Sequence, residues 1–368
     1  MSNPTQFTTI GVWQTAFLGD SVLTLPLLQT LAKAWPEARI HFFVRRGFAG
    51  LYSGVPGLAG VHEFDKRGSR AGLAGAWRHG NELRRMGFDL WVSAHRSLRS
   101  AAVALAVGAP VRVGYSTPLF NRLAYTRVVD RRFGQAHEIE RLNRLLIPLG
   151  VPPEIAAAEA WPRFTPPARS KERAENFWSE SGIDGPVIGL HPGSVWPTKR
   201  WPAAHYARLL DLAVEHGLRV MVLAGPGEEA MAAQVVGEAR RGRDKAVIDL
   251  AGKLSLPDLS AYLAKLSAYV TNDSGPMHLA WAQHVPVVAM FGPTVERFGF
   301  FPRGPRSRVL EAPLDCRPCG LHGHRQCPKG HHKCMTRIAP EQVWQAVREV
   351  MGLAGTSPSA GRDGPGDA

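Results

Sequence analysis

Apolar residues fall into short continuous runs that alternate with stretches where they recur every three or four positions. In the first half, Thr8–Val12, Arg39–Val44 and Asp89–Ala94 have the length and composition of buried strands. Between them Val22, Leu25, Leu28, Leu31 and Ala32 keep helical spacing. The alternation lapses over Ala158–Pro167, a proline-containing stretch that reads as a linker. A second series then begins. Strands are predicted at Pro186–His191, Leu218–Ala224, Ala246–Leu250, Ala268–Thr271 and Val285–Phe291. Helices are predicted between them at Pro202–His216, Glu228–Arg240, Leu256–Ser267 and Ser274–Gln283.

Such alternation in two blocks predicts an α/β protein with two Rossmann-like, doubly wound parallel sheets facing a cleft. The expected units are residues 1–165 and 166–355, followed by a disordered tail over 356–368, which holds almost nothing apolar. Ligands of such sheets gather beyond the carboxyl ends of the strands.

Composition narrows this picture. Of 368 residues, 45% are hydrophobic, enough to fill two cores and exclude wholesale disorder. With 44 basic and 31 acidic residues the net charge is +13, which favours an anionic partner without choosing among nucleotide, lipid headgroup, membrane surface and nucleic acid. Met1–Thr9 lacks the basic start of a secretory leader, and the longest apolar run, Ala101–Ala109, is about half a membrane span. A cytoplasmic protein is expected.

Four strand-end loops carry candidate chemistry. Gly19-Asp20 follows the first strand; Asp20 is read either as a helix cap or as a general base facing the cleft. His191-Pro192-Gly193-Ser194 leads to Lys199-Arg200, where hydroxyls, amides and an ammonium suit phosphate oxygens, although a solvated basic loop is the plainer reading. Gly225-Pro226-Gly227-Glu228-Glu229 offers a glycine turn with carboxylates for ribose hydroxyls, or simply acidic partners for a helix dipole. The strongest signal is Asn272-Asp273-Ser274-Gly275-Pro276-Met277-His278. There Ser274 and Pro276 favour a helix start whose positive end attracts anions, with His278 one turn in. A good turn sequence with a core histidine would look the same.

All four cysteines, Cys316, Cys319, Cys327 and Cys334, lie within nineteen residues. They suggest a structural zinc site or a loop of reduced thiols, not a disulfide framework. Arginine pairs in the first half (Arg45/Arg46, Arg84/Arg85, Arg96/Arg99 and Arg131/Arg132) are candidate docking points for acidic groups. A basic, zinc-containing nucleic-acid-binding protein is the rival from another class; it is not favoured, because the basic residues are dispersed and the strand-end loops would go unexplained.

Together, Gly19-Asp20, Pro192-Gly193-Ser194 with Lys199-Arg200-Trp201, Gly227-Glu228-Glu229 and the 272–278 element resemble the heptosyltransferases of glycosyltransferase family 9. The resemblance runs from about Thr8 to Val350. It implies a GT-B architecture, an acceptor-binding first domain and a nucleotide-sugar-binding second domain. It further implies an ADP-L-glycero-D-manno-heptose donor, a lipopolysaccharide inner-core acceptor, and inverting transfer with no metal cofactor at the cytoplasmic face of the inner membrane. By that resemblance Asp20 is the base, Ser194 and Lys199 hold the diphosphate, and Glu228 or Glu229 the ribose. Asp273 holds the heptose, and Ser274, Gly275 and His278 the phosphates.

Overall fold

The computed structural model describes residues 6–353 apart from 69, 132, 133, 135, 153 and 156–159, so the tail expected over 356–368 lies outside the described residues. The first sheet contains β1 (Thr9–Gln14), β2 (Arg39–Arg45), β3 (Leu58–Phe64), β4 (Leu90–Ser93), β5 (Val111–Tyr115) and β6 (Arg127–Val129). The second contains β7 (Val187–His191), β8 (Arg219–Val222), β9 (Val247–Asp249), β10 (Ala268–Asn272), β11 (Val287–Phe291) and β12 (Ser307–Glu311). Every pairing is parallel. The orders β3-β2-β1-β4-β5-β6 and β9-β8-β7-β10-β11-β12 are one winding used twice. The two-sheet expectation therefore holds, with the direction of winding reversing between β1 and β4 and between β7 and β10.

Parallel neighbours need crossovers, and helices supply most of them. In the first half these are α1 (Leu18–Leu23), α2 (Leu25–Ala34), α3 (Gly72–Leu83), α4 (Leu98–Val107), α5 (Asn121–Ala124) and α6 (Glu138–Asn143). The second half follows with α7 (Ala168–Glu180), α8 (Ala203–Glu215), α9 (Glu229–Glu238), α10 (Leu256–Leu263) and α11 (Gly275–Trp281). The short α12 (Lys333–Thr336) and the amphipathic α13 (Pro340–Val350) close the described chain. Strands β1, β7, β10 and β11 are buried along their whole length, which is why they read as unbroken apolar runs.

Two local differences have physical causes. The single helix expected across Val22–Ala32 is two, parted at Thr24, where Pro26 contributes no N–H and Thr24 Oγ1 donates to the Asp20 carbonyl at 2.8 Å. The first strand runs to Gln14, two residues past its expected end, because Trp13 and Gln14 are buried with the rest of it.

One apolar cluster runs through both halves, joining Leu23, Leu27 and Leu28 to Leu259, Met277 and Trp281. The stretch read as a linker contributes Trp161, which lies over Trp281 (centroids 4.6 Å) and stacks on His284 (4.8 Å). Among the described residues no helix is long and apolar enough to cross a membrane.

Candidate functional site

A cavity of about 400 Å³ opens between the halves, and the strand-end loops of both line it. From the first half come Phe17, Leu18, Gly19 and Asp20. The cap residue of α1 is Phe17, and Asp20 is the third residue of the helix, its Oδ2 accepting the Phe17 N–H at 3.1 Å. Asp20 is therefore not the helix cap: from the third position its carboxylate reaches back to the cap residue's amide, and the residue lines the cavity. Burial pushes its carboxyl up to about 6, helped by the nearby Glu138 carboxylate and opposed by the Phe17 N–H and Arg131. Gly19 has no left-handed backbone angle; it is needed because His278 lies against it, 2.5 Å from where a Cβ would stand.

From the second half, β7 and β10 deliver adjacent loops. Asn272 staples them, its Oδ1 accepting Trp201 N–H at 2.9 Å and its Nδ2 donating to the carbonyls of Pro192 (2.8 Å) and Gly193 (3.2 Å). This places Lys199 Nζ 2.5 Å from Asp273 Oδ2, an oxygen that also accepts Thr294 Oγ1–H at 2.6 Å. Burial alone would raise the Asp273 carboxyl; the ammonium and the hydroxyl overcome this and hold it below the usual carboxylate range. Ser194, Lys199, Asp273, Ser274, Gly275 and His278 all line the cavity.

Ser274 is the cap residue of α11, but its hydroxyl makes no cap bond and lies 3.2 Å from Thr271 Oγ1 instead. His278 is buried, with Nδ1 unpartnered, and burial beside Lys199 pushes its imidazole down to about 4, so it is neutral at pH 7.

The paired glutamates separate. Glu228 lines the cavity, its Oε2 3.3 Å from His191 Nε2 and accepting Gly225 N–H at 3.0 Å. Burial opposes its charge, yet those two partners hold its carboxyl below the ordinary value. A Cβ on Gly193 would fall 2.1 Å from Glu228 Oε2, so that glycine serves close approach. Glu229 is exposed, accepts Gly227 N–H at 2.8 Å and is absent from the lining.

Among the described residues no three Cys, His, Asp or Glu side chains, those of Cys316, Cys319, Cys327 and Cys334 included, come together in the grouping that holds a metal ion. The four are free thiols that neighbour one another: Cys316 and Cys327 act on Cys319, and all three act on Cys334, where burial and the neighbouring thiols push the thiol up to about 11. Cys319 Sγ donates to the Cys316 carbonyl at 3.3 Å, Cys316 Sγ is 3.9 Å from His331 Nε2, and Cys334 is buried near Gly292. What the loop does here is brace Lys199. Thr198 Oγ1 donates to the His324 carbonyl (2.9 Å) and accepts His324 N–H (2.7 Å), and His332 Nε2 lies 2.8 Å from the Thr198 carbonyl.

Several contributors had no role assigned from the sequence, although Phe291-Gly292-Pro293-Thr294 is one more loop at the same sheet edge. Thr294 completes the Asp273 site from the loop after β11, and Lys66 reaches over from β3 to donate to the Thr15 carbonyl at 3.0 Å. His322 stacks on Trp196 and approaches Phe17, joining the cysteine loop to both walls. Of the arginine pairs, Arg45 and Arg46 line a second small cavity with Lys66 and Arg67, Arg99 donates to the Lys66 carbonyl, and Arg84 to the Ala106 carbonyl. Arg131 pairs with Glu138; Arg132 lies outside the described residues.

Residues 76–331 match the family model described as glycosyltransferase family 9 (heptosyltransferase). The chain belongs to glycosyltransferase family 9. It is similar to lipopolysaccharide heptosyltransferase 1 of Pseudomonas aeruginosa, with 31% identity across 90% of this chain and 94% of that one. Its fold matches the glycosyl transferase family 9 structure from Veillonella parvula at a TM-score of 0.84, with 26% identity, covering 96% of this chain and all (100%) of the other. It also matches the E. coli ADP-heptose lps heptosyltransferase II structure, with a TM-score of 0.74, 24% identity and coverage of 95% and 100%. The family 9 member therefore has the GT-B fold that the paired sheets imply.

Proposed function

We propose that this family 9 heptosyltransferase moves heptose from ADP-L-glycero-D-manno-heptose to a hydroxyl of the lipopolysaccharide inner core, inverting the anomeric centre. The observation that carries the reading is that Asp20 and the Lys199–Asp273–His278 group line one cavity from opposite halves. The donor and acceptor follow the family resemblance and the name borne by the similar E. coli structure.

In this reading the acceptor hydroxyl gives its proton to an Asp20 oxygen while its own oxygen bonds the anomeric carbon. The bond from that carbon to the diphosphate breaks, and ADP carries away the electron pair. A carboxyl near 6 is matched to that task at neutral pH. Lys199 has three N–H donors, of which Asp273 takes one, leaving two for the departing diphosphate. Ser194, Ser274 and Gly275 supply further donors along the same wall, and Glu228 faces ribose hydroxyls while Asp273 faces the sugar. No step is routed through a metal. Lys66, which lies near Asp20, together with its own neighbours Arg45 and Arg99, suits the acidic groups of the acceptor.

The test is nucleotide release from ADP-, UDP- and GDP-sugars in the presence of truncated core acceptors. ADP release from ADP-heptose, dependent on acceptor and lost in Asp20→Ala, is the expected result. Preferential turnover of another nucleotide-sugar would overturn the donor assignment.

A further inference from the structure

Six of the twelve large hydrophobic side chains exposed among the described residues sit on one layer: Leu73 and Trp77, Leu98 and Leu105, Leu119 and Leu123. They belong to α3, to α4, and to α5 with the turn before it. The first two helices pack side by side in the same direction. A Cβ on Gly80 would lie 2.6 Å from Ala106 Cβ, and Arg84 Nε donates to the Ala106 carbonyl at 3.1 Å. In turn, α4 packs on α5. Leu119 is 76% exposed and Leu123 81%, values that water alone does not favour for two leucines four residues apart.

The same stretch is strongly basic. Between Lys66 and Arg127 there are eleven Lys or Arg against two Asp or Glu, a net +9 of the chain's +13. Both acids have partners: Asp89 accepts from Thr8 and Thr9, and Glu82 from Arg70. All three helices follow carboxyl ends of first-sheet strands, so their starts share the rim that carries Asp20. Lys66 and Arg99 tie this rim together through the Thr15 and Lys66 carbonyls.

We infer that the outer faces of α3, α4 and α5 form a docking surface for an anionic lipid bilayer. Apolar side chains enter the interfacial region, Trp77 sits at headgroup depth, and the arginines around them meet lipid phosphates. A second copy of the chain is the poorer occupant, because it would bring two copies of this +9 stretch against each other. The surface deepens the proposed function by bringing Asp20 to the plane where a lipid-anchored acceptor lies, and it rests on that reading for its purpose alone.

The test is co-sedimentation of the full chain with acceptor-free vesicles of phosphatidylcholine, with and without roughly one-third phosphatidylglycerol. Binding to the anionic vesicles about tenfold or more tighter than to neutral ones, weakening as salt rises, is expected. Leu119→Ser/Leu123→Ser, and separately Trp77→Ser, weaken that binding by about tenfold while melting temperature and turnover of a short lipid-free acceptor stay unchanged. Equal binding by these folded variants, or no preference for anionic vesicles, overturns the inference. So does light scattering that shows a dimer which the double variant dissolves. Intact vesicle binding without any transfer would instead count against the proposed function.

Discussion

Gly19 and His278 touch across the cleft so closely that a Cβ on the glycine would stand 2.5 Å from the histidine Cδ2. The contact is reciprocated one residue away, where a Cβ on Gly275 would stand 2.8 Å from Leu18 Cβ. Two glycines thus let α1 and α11 meet tip to tip, and the spacing between the proposed base and the proposed leaving-group wall depends on them. Gly19→Ala must push the ring or the helix aside, at an overpacking cost of about 1–3 kcal/mol. A fall in kcat/KM of about tenfold or more is expected, with little change in the far-ultraviolet spectrum. Wild-type kinetics in this variant would show that the contact does not set the site.

In the proposed role of base Asp20 works only when ionised, and its carboxyl stands near 6. The rate should therefore hold above that pH and fall as pH drops through about 6, one decade per unit once well below it. Asp20→Asn should remove this limb and lower kcat by about 10²–10⁴-fold while ADP affinity, measured by calorimetry, is retained. A variant that keeps the acid limb would assign it to another group.

The same shift has a stability consequence of opposite benefit. The folded protein holds the Asp20 proton more tightly than the unfolded chain, since the value rises from 3.8 to about 6. The favourable contribution is complete below 3.8 and is lost as pH climbs through about 6. At pH 7.5 the ionised carboxylate consequently costs on the order of 3 kcal/mol. Asp20→Asn, which can still accept the Phe17 N–H, should melt higher than wild type at pH 7.5 and not at pH 4. Denaturant titrations at the two pH values check this.

The two-sheet fold was legible because parallel strands covered on both faces leave unbroken apolar runs, and β7, β10 and β11 are such strands. The site loops were legible for a related reason: Gly, Ser, Pro and Asp at strand ends mark where a chain turns into a helix. What could not be read was pairing across the fold. Lys199 and Asp273 were assigned separately to the diphosphate and the sugar, yet they hold each other across 74 residues. Glu228 and Glu229 look equivalent in the chain, and only the direction each takes at the start of α9 separates them. The cysteine spacing brings the four thiols into one neighbourhood, and the spacing alone does not show that Cys316 also approaches His331 and Cys319 bonds the Cys316 carbonyl.

That loop offers its own test. Cys316, Cys319 and Cys327 are partly exposed and Cys334 is buried. With separate thiols, a disulfide reagent should titrate three rapidly and the fourth only on unfolding, without releasing zinc. Release of one equivalent of zinc with protection of all four would restore the tetrahedral site. Thr198→Val removes the bond that the loop makes to the lysine-bearing turn and should lower turnover severalfold even with all thiols intact.

The Lys199–Asp273 pair separates stability from catalysis. Its side chains are 11% and 10% exposed, so either charge left alone is costly. Asp273, held below its ordinary value, stabilises the fold above the unfolded carboxylate range, and that contribution is lost as pH falls through its folded value. Lys199→Met should therefore destabilise by about 3 kcal/mol or more at neutral pH, and Asp273→Asn by a comparable amount. The double variant removes both charges and should recover much of the loss, giving a large favourable coupling in a double-mutant cycle. Catalysis should not follow. Without the ammonium the diphosphate leaves unassisted, and kcat/KM should stay about 10²–10³-fold down in Lys199→Met and in the double variant alike. If activity returned together with stability, Lys199 would be a structural partner of Asp273 and the leaving-group role would pass to the other donors on that wall.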